Sequence, residues 1–572
     1  MTVNPRYIDY NRQDVQATAA LFEQLLAEHR RHPIRLSPTK AYSPASVGKA
    51  YLRAMGVRPR LETQPEFPRE VLGQAMVVYY GGRAECRIRR TPVPVTYVDF
   101  LSMYPTVNSL MGLWDLVIAE TVEIKDGNAV TREVQSMLNE LTLETCFNPK
   151  IWPGLVGIAE IEPDGDILPV RARYGDNDSW GIGLNPLIFD RPLWYSIADL
   201  IAAKILGRRT PKVRRAIRFI PHRHTKGLKT VELRGSVHGD PRARDFFRTV
   251  IEQRHLLKER DDISEAERKR LDPFLKVLAN SSSYGIYAEM NRNYIGRRKT
   301  EPVGVYGLEQ FVDPEVGAPE TPGEFCFPPM ACITGAARLM LALLERRIGD
   351  VGGAYAFCDT DSMAIVTSQT GGLVPCPGGS ERLPDGRDAV RALSWEQVES
   401  ICDRFASLNP YDRDAVPGAV LEIEDENYET KKDTNQRQLY CYAISAKRYA
   451  LYTLDADGSP TLRKGTNEQR GEKWSEHGLG HLLNPLNPED EDRDWIRALW
   501  EHELRNVYDR VSQEPDWLDY PAVGQVTIGK PQTLDPFATF NHRKPYSERI
   551  KPFNFLLAAH IPQLSAPPPG TN

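Results

Sequence analysis

The sequence lacks three features that would place it outside the ordinary globular enzymes. No stretch approaches the ~18 consecutive apolar residues of a membrane-spanning helix, and the first residues lack the apolar core of a signal peptide. The eight cysteines include no Cys-x-x-Cys pair, which argues against a structural zinc site or a disulfide framework. These absences predict a protein of the reducing cytoplasm without a membrane partner.

An excess of positive charge is also missing. The formal net charge is -5 and the pI is near 6.2, short of the basic balance expected of a small nucleic-acid-binding domain. Positive charge is concentrated locally instead, in segments 204–229 and 291–299, and the first of these contains no acidic residue. Segment 204–229 is open to two interpretations, a surface for the phosphate backbone or an ordinary solvated surface.

Two aspartate-centred segments lie far apart in the chain. Asp359 and Asp361 stand between two short apolar runs, a pattern that predicts a β-hairpin with both carboxylates at its tip. Asp99 lies near the end of a second predicted strand, which runs from Thr96 to Phe100. Carboxylates brought together repel one another unless a cation lies between them, and hard oxygen ligands suit Mg²⁺. The two segments therefore predict a divalent metal site.

A third segment lies between these two in the sequence. Lys276, Asn280 and Tyr284 recur at four-residue steps, which places them along one face of a predicted helix. A lysine and an asparagine displayed together can hold a polyphosphate, and a tyrosine offers a flat surface to a base. Arg254 and Lys258 repeat the four-residue spacing on another predicted helix just upstream.

In this order, the segments resemble the polymerase signatures of the family B DNA polymerases. Asp99 with the following Ser102-Met103-Tyr104-Pro105 resembles the first signature, segment 276–285 the second and segment 359–362 the third. Lys447-Arg448-Tyr449 is similar to the Lys-x-Tyr element that follows the third signature in that family. With a motif near the N-terminus, the resemblance extends from about Tyr7 to Tyr449, most of the chain.

The resemblance implies a template-directed DNA polymerase that adds deoxynucleotides to a primer 3′-hydroxyl with two Mg²⁺ ions, for which Mn²⁺ can substitute. Asp99 and Asp361 are implied to hold the ions, with Asp359 assisting and the Phe100 carbonyl completing the shell. Lys276 is also implied to protonate the leaving group. The implied nucleotide contacts are Ser102, Met103, Tyr104, Arg254, Lys258, Lys276, Asn280 and Tyr284. The implied contacts with primer-template DNA are Thr360, Lys447, Tyr449 and Gly285.

The N-terminal residues resemble a different part of the same family. Tyr10 and Asp14 match the Tyr-x-x-x-Asp motif that opens the last helix of its proofreading exonuclease domain, and Val15, Phe22 and Leu25 give the predicted helix an apolar face. A plain helix start is an alternative interpretation of Tyr10 and Asp14. The two earlier exonuclease motifs are absent, and a lone Asp14 cannot hold two ions, so no proofreading is expected from this chain.

The resemblance predicts an α+β, right-hand polymerase with an antiparallel-sheet palm, helical fingers and a mostly helical thumb. Two predicted helices between about 240 and 291 flank a charged turn at 261–265, with Ser264 as cap. Further elements predicted are a strand at Ala75–Tyr80 and a long amphipathic helix at Met330–Ile348. The expected divisions are 1–32 (exonuclease-like remnant), 33–70 (linker with a helix near 47–55), 71–239 (first palm part), 240–291 (fingers), 292–453 (second palm part) and 454–572 (thumb-like region).

Two other classes stay open. A two-metal nuclease also uses clustered carboxylates, but it has no need of a lysine, an arginine and an asparagine arrayed on helices. A catalytically silent DNA-binding relative is the other alternative, and the intact aspartates argue against it. The expected partners are primer-template DNA and deoxynucleoside triphosphates, and a separate exonuclease-bearing chain or processivity factor stays open.

Overall fold

The structure is a computed structural model that describes residues 5–173, 180–429, 435–467, 471–480, 482–487, 492–508, 514–520 and 542–544. Its helices are α1 (Pro5–Arg30), α2 (Pro44–Ala54), α3 (Arg60–Thr63), α4 (Arg69–Val77), α5 (Met103–Met111), α6 (Trp114–Ile118), α7 (Asn128–Glu140), α8 (Leu143–Cys146), α9 (Ile197–Gly207), α10 (Phe246–Leu256), α11 (Glu265–Ser283), α12 (Cys332–Asp350), α13 (Trp395–Arg404) and α14 (Asp494–Val507).

Its strands are β1 (Ala84–Cys86), β2 (Val93–Phe100), β3 (Ala119–Lys125), β4 (Gly157–Ile161), β5 (Asp164–Arg173), β6 (Trp180–Ile188), β7 (Leu193–Ser196), β8 (Val213–His224), β9 (Val231–Leu233), β10 (Val237–Gly239), β11 (Met290–Arg292), β12 (Glu301–Val305), β13 (Phe311–Val316), β14 (Glu320–Pro322), β15 (Tyr355–Asp359), β16 (Ser362–Ser368), β17 (Thr370–Pro375), β18 (Glu381–Arg382), β19 (Asp388–Ser394), β20 (Leu421–Ile423), β21 (Leu439–Ser445), β22 (Arg448–Leu454), β23 (Pro460–Leu462), β24 (Lys464–Asn467), β25 (Gly471–Trp474) and β26 (Glu476–His477).

A large sheet forms the centre of the molecule, with strand order β1-β15-β16-β2-β21-β22-β23. Its neighbouring strands along this order are antiparallel, while β19 joins β16 in parallel and β20 pairs with the end of β2. A second, four-stranded sheet has the order β3-β8-β4-β7. The expected combination of helices with antiparallel sheets is confirmed, and the division into palm, fingers and thumb stays a prediction.

The predicted hairpin of the aspartates is confirmed. Strands β15 and β16 pair antiparallel with Asp359 opposite Ser362, so Thr360 and Asp361 form the tip. The apolar residues that flank the tip are buried because the sheet is covered on both faces, which is typical of continuous apolar strands rather than alternating ones.

The predicted helical pair is also confirmed. Ser264 caps α11, since its Oγ accepts a hydrogen bond from the Glu267 N–H at 3.2 Å. Helices α10 and α11 pack against each other, and α11 also packs against α2. The helix predicted inside the 33–70 segment is therefore α2, and its Tyr51 and Leu52 are buried in the main core rather than lying in a free linker.

Two predicted elements differ from the structure. Residues 75–80 were expected as a strand, but helix α4 runs to Val77. Val71, Gln74, Ala75 and Val78 are all buried, an i, i+3, i+4, i+7 pattern that packs one helical face and overrides local strand propensity. The long helix expected over 330–348 is α12, and its residues from Cys332 to Leu344 are buried all round, so it is a central helix rather than an amphipathic one.

The N-terminal helix α1 begins at Pro5, ahead of Tyr10, so the Tyr10–Asp14 motif lies inside the helix rather than at its start. Its predicted apolar face is largely exposed, with Val15 61% and Leu25 59% accessible. The C-terminal end of α1 is attached through Glu28, which pairs with the buried Arg234.

The region expected to be a mostly helical thumb is different in the part that the structure describes. Between residues 454 and 508 the described segments contain strands β23 to β26 and one helix, α14. Strand β23 pairs with β22, so the central sheet continues past residue 453. None of the helices among the described residues is long and apolar enough to cross a bilayer.

Candidate active site

The central sheet brings Asp99 and Asp361 together. Strands β2 and β16 pair with Asp99 opposite Ser362, and the Phe100 N–H donates to the Asp361 carbonyl oxygen at 2.8 Å. Asp99 Oδ1 is buried and has no hydrogen-bond partner in the structure. Two residues that are 262 positions apart in the sequence are thus brought together, Asp99 near the end of β2 and Asp361 directly before β16, and one oxygen of the Asp99 carboxylate has no hydrogen-bond partner.

The electrostatics of this pair disfavour ionisation in the absence of a cation. Burial and the repulsion from Asp361 and Glu424 raise the pKa of Asp99 to about 9, while Lys276 opposes the rise. Burial and the repulsion from Asp359 raise the pKa of Asp361 to about 6. A positive charge placed between the two carboxylates would relieve both effects.

Asp359 points to a different set of partners. Its carboxylate forms an ion pair with Lys447 and accepts a hydrogen bond from Thr360 Oγ1 at 3.0 Å. His477 Nε2 lies 3.9 Å from its other oxygen. Among the described residues, no three histidine, cysteine, aspartate or glutamate side chains are grouped to hold a metal ion together, which agrees with Asp359 being turned towards Lys447.

A cavity of about 430 Å³ opens beside Asp99 and Asp361. It collects most of the residues predicted from the sequence, and its lining consists of Asp99, Leu101, Ser102, Met103, Tyr104, Arg254, Lys276, Asn280, Tyr284, Asp361, Glu422 and Glu424. Helix α11 supplies Lys276 and Asn280, while Arg254 reaches the cavity from the end of α10 and is paired with Asp272 at 2.9 Å. Lys258 does not line the cavity, because α10 ends at Leu256 and Lys258 lies exposed on the following 3₁₀ turn.

Aromatic rings form one wall of the cavity. Tyr104 and Tyr284 stack with ring centroids 4.4 Å apart, and Tyr79 lies 5.5 Å from Tyr284 on the other side. Tyr284 was predicted on the helical face of Lys276, but α11 ends at Ser283 and Tyr284 is extended. Gly285 follows in a left-handed conformation, with φ of +70°. It is exposed and does not line the cavity. The stack therefore depends on the end of the helix rather than on its periodicity.

Two non-glycine residues at the site have left-handed backbone conformations. Ser102, with φ of 44°, precedes the first turn of α5, whose N-terminal N–H groups lack partners within the helix. Thr360, with φ of 63°, lies between the two aspartates of the hairpin tip. Such conformations persist only where the surroundings enforce them, and they cluster at functional sites.

The remaining predicted residues are the Phe100 carbonyl, Lys447 and Tyr449. Phe100 is buried at the end of β2, directly after Asp99. Lys447 is half exposed, at the turn between β21 and β22. Tyr449 is buried, stacks on Phe357 at 4.1 Å and lies 3.4 Å, oxygen to oxygen, from Tyr97, so its ring supports the sheet beneath Lys447.

Two carboxylates of the cavity, Glu422 and Glu424, were not predicted from the sequence. Strand β20 pairs with β2 so that Glu422 lies opposite Asp99. Burial and the nearby acidic side chains raise the pKa of Glu424 to about 7. The available signal was the alternation of Leu421, Glu422, Ile423 and Glu424, which is typical of a strand with one polar face.

The basic segment 204–229 is largely neutralised by other parts of the chain. Two arginines of strand β8 are paired with carboxylates of neighbouring segments, Arg214 with Glu162 at 2.7 Å and Arg215 with Asp126 at 2.6 Å. Arg218 pairs with Glu133 in the same way. The arrangement favours a solvated surface over a surface for the phosphate backbone.

The site fits a hard divalent cation on the basis of its own residues. Asp99 Oδ1 is a buried acceptor without a donor, and Asp361 and the Phe100 backbone are adjacent oxygen sources. Mg²⁺ is commonly bound by one or two carboxylates, with water and substrate phosphate completing the shell, so two carboxylates are sufficient.

A scan against protein-family models and a search of curated proteins both give no match. Solved structures similar to this chain are DNA polymerases. The phi29 enzyme with primer-template DNA matches at a TM-score of 0.38 and 14% identity, covering 87% of this chain and 67% of that one. Its complex with DNA and incoming nucleotide matches at 0.39 and 13%, covering 84% and 66%. The family B DNA polymerase of the archaeon Pyrobaculum calidifontis matches at 0.26 and 15%, covering 88% and 44%. The chain thus spans about two thirds of the length of the phi29 polymerase and less than half of the archaeal one.

Proposed function

We propose that this chain is a template-directed DNA polymerase, which adds deoxynucleotides to the 3′-hydroxyl of a primer. The observation that carries the proposal is that Asp99, Asp361 and Lys276 line one cavity. A carboxylate pair for cations and a lysine for phosphate, facing one another, suit the transfer of a nucleotidyl group from a triphosphate.

Asp99, Asp361 and the Phe100 carbonyl would hold two Mg²⁺ ions, with Asp359 at the border of the site. When bound, the ions would lower the pKa of the attacking 3′-hydroxyl and neutralise charge on the phosphates. Mn²⁺ takes the same oxygen ligands and would substitute. The sheet would fix the positions of the two carboxylates, because Asp99 lies in β2 and Asp361 directly precedes β16, the strand that pairs with β2.

The triphosphate would lie between the carboxylates and helix α11. Lys276 and Arg254 line the cavity and would neutralise phosphate charge, while Lys258, outside the lining, would act at longer range. The N-terminus of α5, at Ser102 and Met103, would offer N–H groups to phosphate oxygens. Lys276 would donate a proton to the departing pyrophosphate, which is the role of a general acid.

The nucleoside would lie against the tyrosine pair. The Tyr104 ring, stacked on Tyr284, would close the space beside the sugar C2′ and exclude a 2′-hydroxyl, while Asn280 lies one turn of α11 from Lys276. Thr360, Lys447, Tyr449 and Gly285 would contact or support the primer-template DNA. In this arrangement the central sheet up to β22 would be the palm and the pair α10 and α11 the fingers. The region after 453, whose strands β23 and β26 extend the sheet, would be the thumb-like part.

Extension of a labelled primer on a longer template, with Mg²⁺ and all four deoxynucleoside triphosphates, tests the proposal. A polymerase lengthens the primer, a nuclease shortens it, and a silent DNA-binding relative only retards its migration in a native gel. Lengthening that stops at the template end and requires the divalent ion is expected. Shortening, or retardation alone, would refute the proposal.

A further inference from the structure

A short segment connects the interior of the molecule to the tip of the aspartate hairpin. This segment, residues 79–83, is called the Gly81 strap below. Its Gly81 has φ of +89° and its carbonyl accepts a hydrogen bond from Arg338 of helix α12. At the other end, the Arg83 carbonyl accepts a hydrogen bond from the Thr360 N–H at 2.7 Å. The strap thus joins α12 to the residue between the two hairpin aspartates.

The Arg338 end of the strap is anchored by a buried ion pair. Arg338 and Asp199 are both fully buried, and the guanidinium Nε and Nη2 donate to the two carboxylate oxygens at 2.7 and 2.8 Å. Ser196 Oγ adds a third donor to Asp199 at 2.7 Å. The pair fixes the plane of the guanidinium, so the remaining Nη1 is directed at the Gly81 carbonyl.

Stability alone does not account for this ion pair. Removing two charges from water carries a desolvation penalty that apolar residues of similar volume avoid, and replacing buried pairs with such residues is often neutral or stabilising. Arg338 donates a hydrogen bond to the Gly81 carbonyl, which an apolar side chain in its place could not do.

The other end holds Thr360 in an unfavourable conformation. Thr360 is β-branched and has φ of 63°, a region such residues rarely adopt. Gly82 packs directly on it, since a Cβ at Gly82 would lie 2.8 Å from Thr360 Oγ1. If the Arg83 carbonyl moved away, Thr360 would lose the partner of its N–H and return to an ordinary conformation, which would turn Asp361 away from Asp99.

We propose that Arg338 is a positioning residue for the catalytic aspartates, acting through the Gly81 strap on the conformation of Thr360. The inference rests on the proposed polymerase function. Arg338 itself contacts neither cation nor nucleotide, and its effect is on the placement of Asp361.

The first experiment is primer extension by Arg338→Lys in the full chain. Lysine keeps the charge opposite Asp199 but lacks the planar fork needed to bind Asp199 and Gly81 together. We expect kcat to fall about 100-fold, the loss typical of a displacement of ~1 Å in an active site. The nucleotide KM and the Kd for primer-template should stay within about twofold, because Lys276 and Arg254 are unchanged.

A rescue separates positioning from a purely structural role. Glycine adopts the left-handed conformation freely, so adding Thr360→Gly to Arg338→Lys should restore at least about tenfold of the lost kcat, measured at saturating primer-template so that the proposed DNA contact of Thr360 does not limit the rate. A structural defect in the core around Asp199 would leave the double variant as slow as Arg338→Lys. Arg347→Lys is the matched control, since Arg347 lies on the same helix and pairs near the surface with Glu144 at 2.9 Å; it should keep wild-type kcat.

Gly82→Ala tests the contact between the Gly81 strap and Thr360 while leaving Arg338 and Asp199 unchanged. Its added methyl would press on the Thr360 side chain, so kcat should fall, and Thr360→Gly should restore it by removing that side chain. This variant decides the inference if thermal unfolding shows that Arg338→Lys does not fold.

Mn²⁺ binding, measured on each protein by electron paramagnetic resonance, separates this inference from the proposed function. A wild type that extends no primer refutes the function. The inference then stands if Arg338→Lys binds Mn²⁺ about tenfold more weakly than wild type and Thr360→Gly reverses the loss. Equal Mn²⁺ affinity, or equal kcat for Arg338→Lys and Arg347→Lys, overturns the inference.

Discussion

Two regions of the molecule concentrate charge of one sign in the sequence, and the structure treats them in opposite ways. Along strand β8, arginines such as Arg214 and Arg215 each meet a carboxylate from a neighbouring element, at or near the surface. Around the ends of β2, β16 and β20, the carboxylates of Asp99, Asp361 and Glu424 lie together, and burial raises their pKa values. The positive charge of the first region is neutralised by carboxylates of the same chain, whereas the negative charge of the second region is not balanced in this way.

The difference supports the proposal that the carboxylates, rather than the β8 arginines, hold a ligand. Exposed ion pairs contribute only about 0 to 1 kcal/mol each, so the β8 pairs need no further explanation than an ordinary surface. Buried carboxylates without a counter-charge are unfavourable, and a fold keeps them where a cation completes the site. Unbalanced charge inside a cavity, rather than charge density along the sequence, marks the functional region.

The largest effect is expected from removing either central carboxylate. Asp99→Ala or Asp361→Ala should abolish nucleotide incorporation, because one carboxylate cannot hold two cations, while primer-template binding stays near wild type. Primer extension and a DNA-binding isotherm measure the two properties. Glu162→Gln, on the balanced side near β8, is the control and should keep full activity. Normal incorporation by either alanine variant would remove the carboxylates from the mechanism.

Removing the lysine of the cavity should have the next largest effect. Lys276→Ala is expected to lower kcat about 100-fold, within the range of lost general-acid catalysis, and to raise the nucleotide KM. Lys269→Ala on the same helix is matched in type, since Lys269 is exposed and pairs with Glu265 at 3.0 Å. Steady-state kinetics of both variants decide the matter, and similar kinetics for the two would contradict the role of Lys276.

The tyrosine pair makes a prediction about sugar selection. Tyr104→Ala opens the space beside C2′, so the preference for deoxynucleotides over ribonucleotides should fall by about 100-fold, while deoxynucleotide incorporation continues. Competing incorporation of the two nucleotide types on one template gives this ratio. An unchanged ratio would show that another residue excludes the 2′-hydroxyl.

The buried carboxylates also predict how stability depends on pH. Burial and the Asp361 carboxylate raise the pKa of Asp99 from its ordinary 3.8 to about 9, so the folded state binds more protons than the unfolded state between these values. Stability from this group therefore falls as pH rises through that window. Asp99→Asn lacks the titration and should unfold at a higher temperature than wild type near pH 8 in a chelator.

Calorimetry from pH 5 to 9, with chelator and then with Mg²⁺, checks this expectation. Each pH unit between the two pKa values destabilises only the protein that carries Asp99, so the difference in unfolding free energy between the two proteins should grow as the pH rises. Added Mg²⁺ should raise the unfolding temperature of wild type and leave that of Asp99→Asn nearly unchanged. Parallel pH profiles for the two proteins would contradict the unbalanced charge.

The smallest effects are expected on the basic segments. Arg214→Gln with Arg215→Gln should leave the Kd for DNA and its salt dependence unchanged, because both arginines already have carboxylate partners. Arg297→Gln with Arg298→Gln, in the exposed segment 291–299, should weaken binding and reduce the salt slope by about one per charge. Fluorescence anisotropy at several salt concentrations compares the two double variants, and an effect of the β8 pair equal to that of the second pair would reverse this assignment.

The parts of the fold that follow local rules could be predicted from the sequence. The hairpin at Asp359, the strand at Asp99 and the Ser264 cap each depend on residues within a few positions. Helix α4 could not be predicted, because the packing of Val71 and Ala75 against distant elements overrides the strand propensity of the residues that follow. The pairing of the β8 arginines with carboxylates could not be predicted either, since these carboxylates lie 52 and 89 positions away in the sequence.

The candidate site shows the same division. Asp99, Asp361 and Lys276 could be named from motifs, and the cavity contains all three. Glu422 was not predicted because the alternating pattern around it indicates a strand with one polar face but does not indicate that this strand pairs with Asp99. The link from Arg338 to Thr360 could not be predicted either, because it depends on hydrogen bonds to two backbone carbonyls of residues 79–83.

Anomalous diffraction from crystals grown with Mn²⁺, a primer-template and an unreactive nucleotide triphosphate would locate the metal relative to both aspartates. We expect manganese peaks at ~2.1 Å from carboxylate oxygens of both Asp99 and Asp361, on the side that faces Lys276. Manganese bound elsewhere in a complex that holds the nucleotide, with Asp99 and Asp361 free of metal, would refute the proposed metal site.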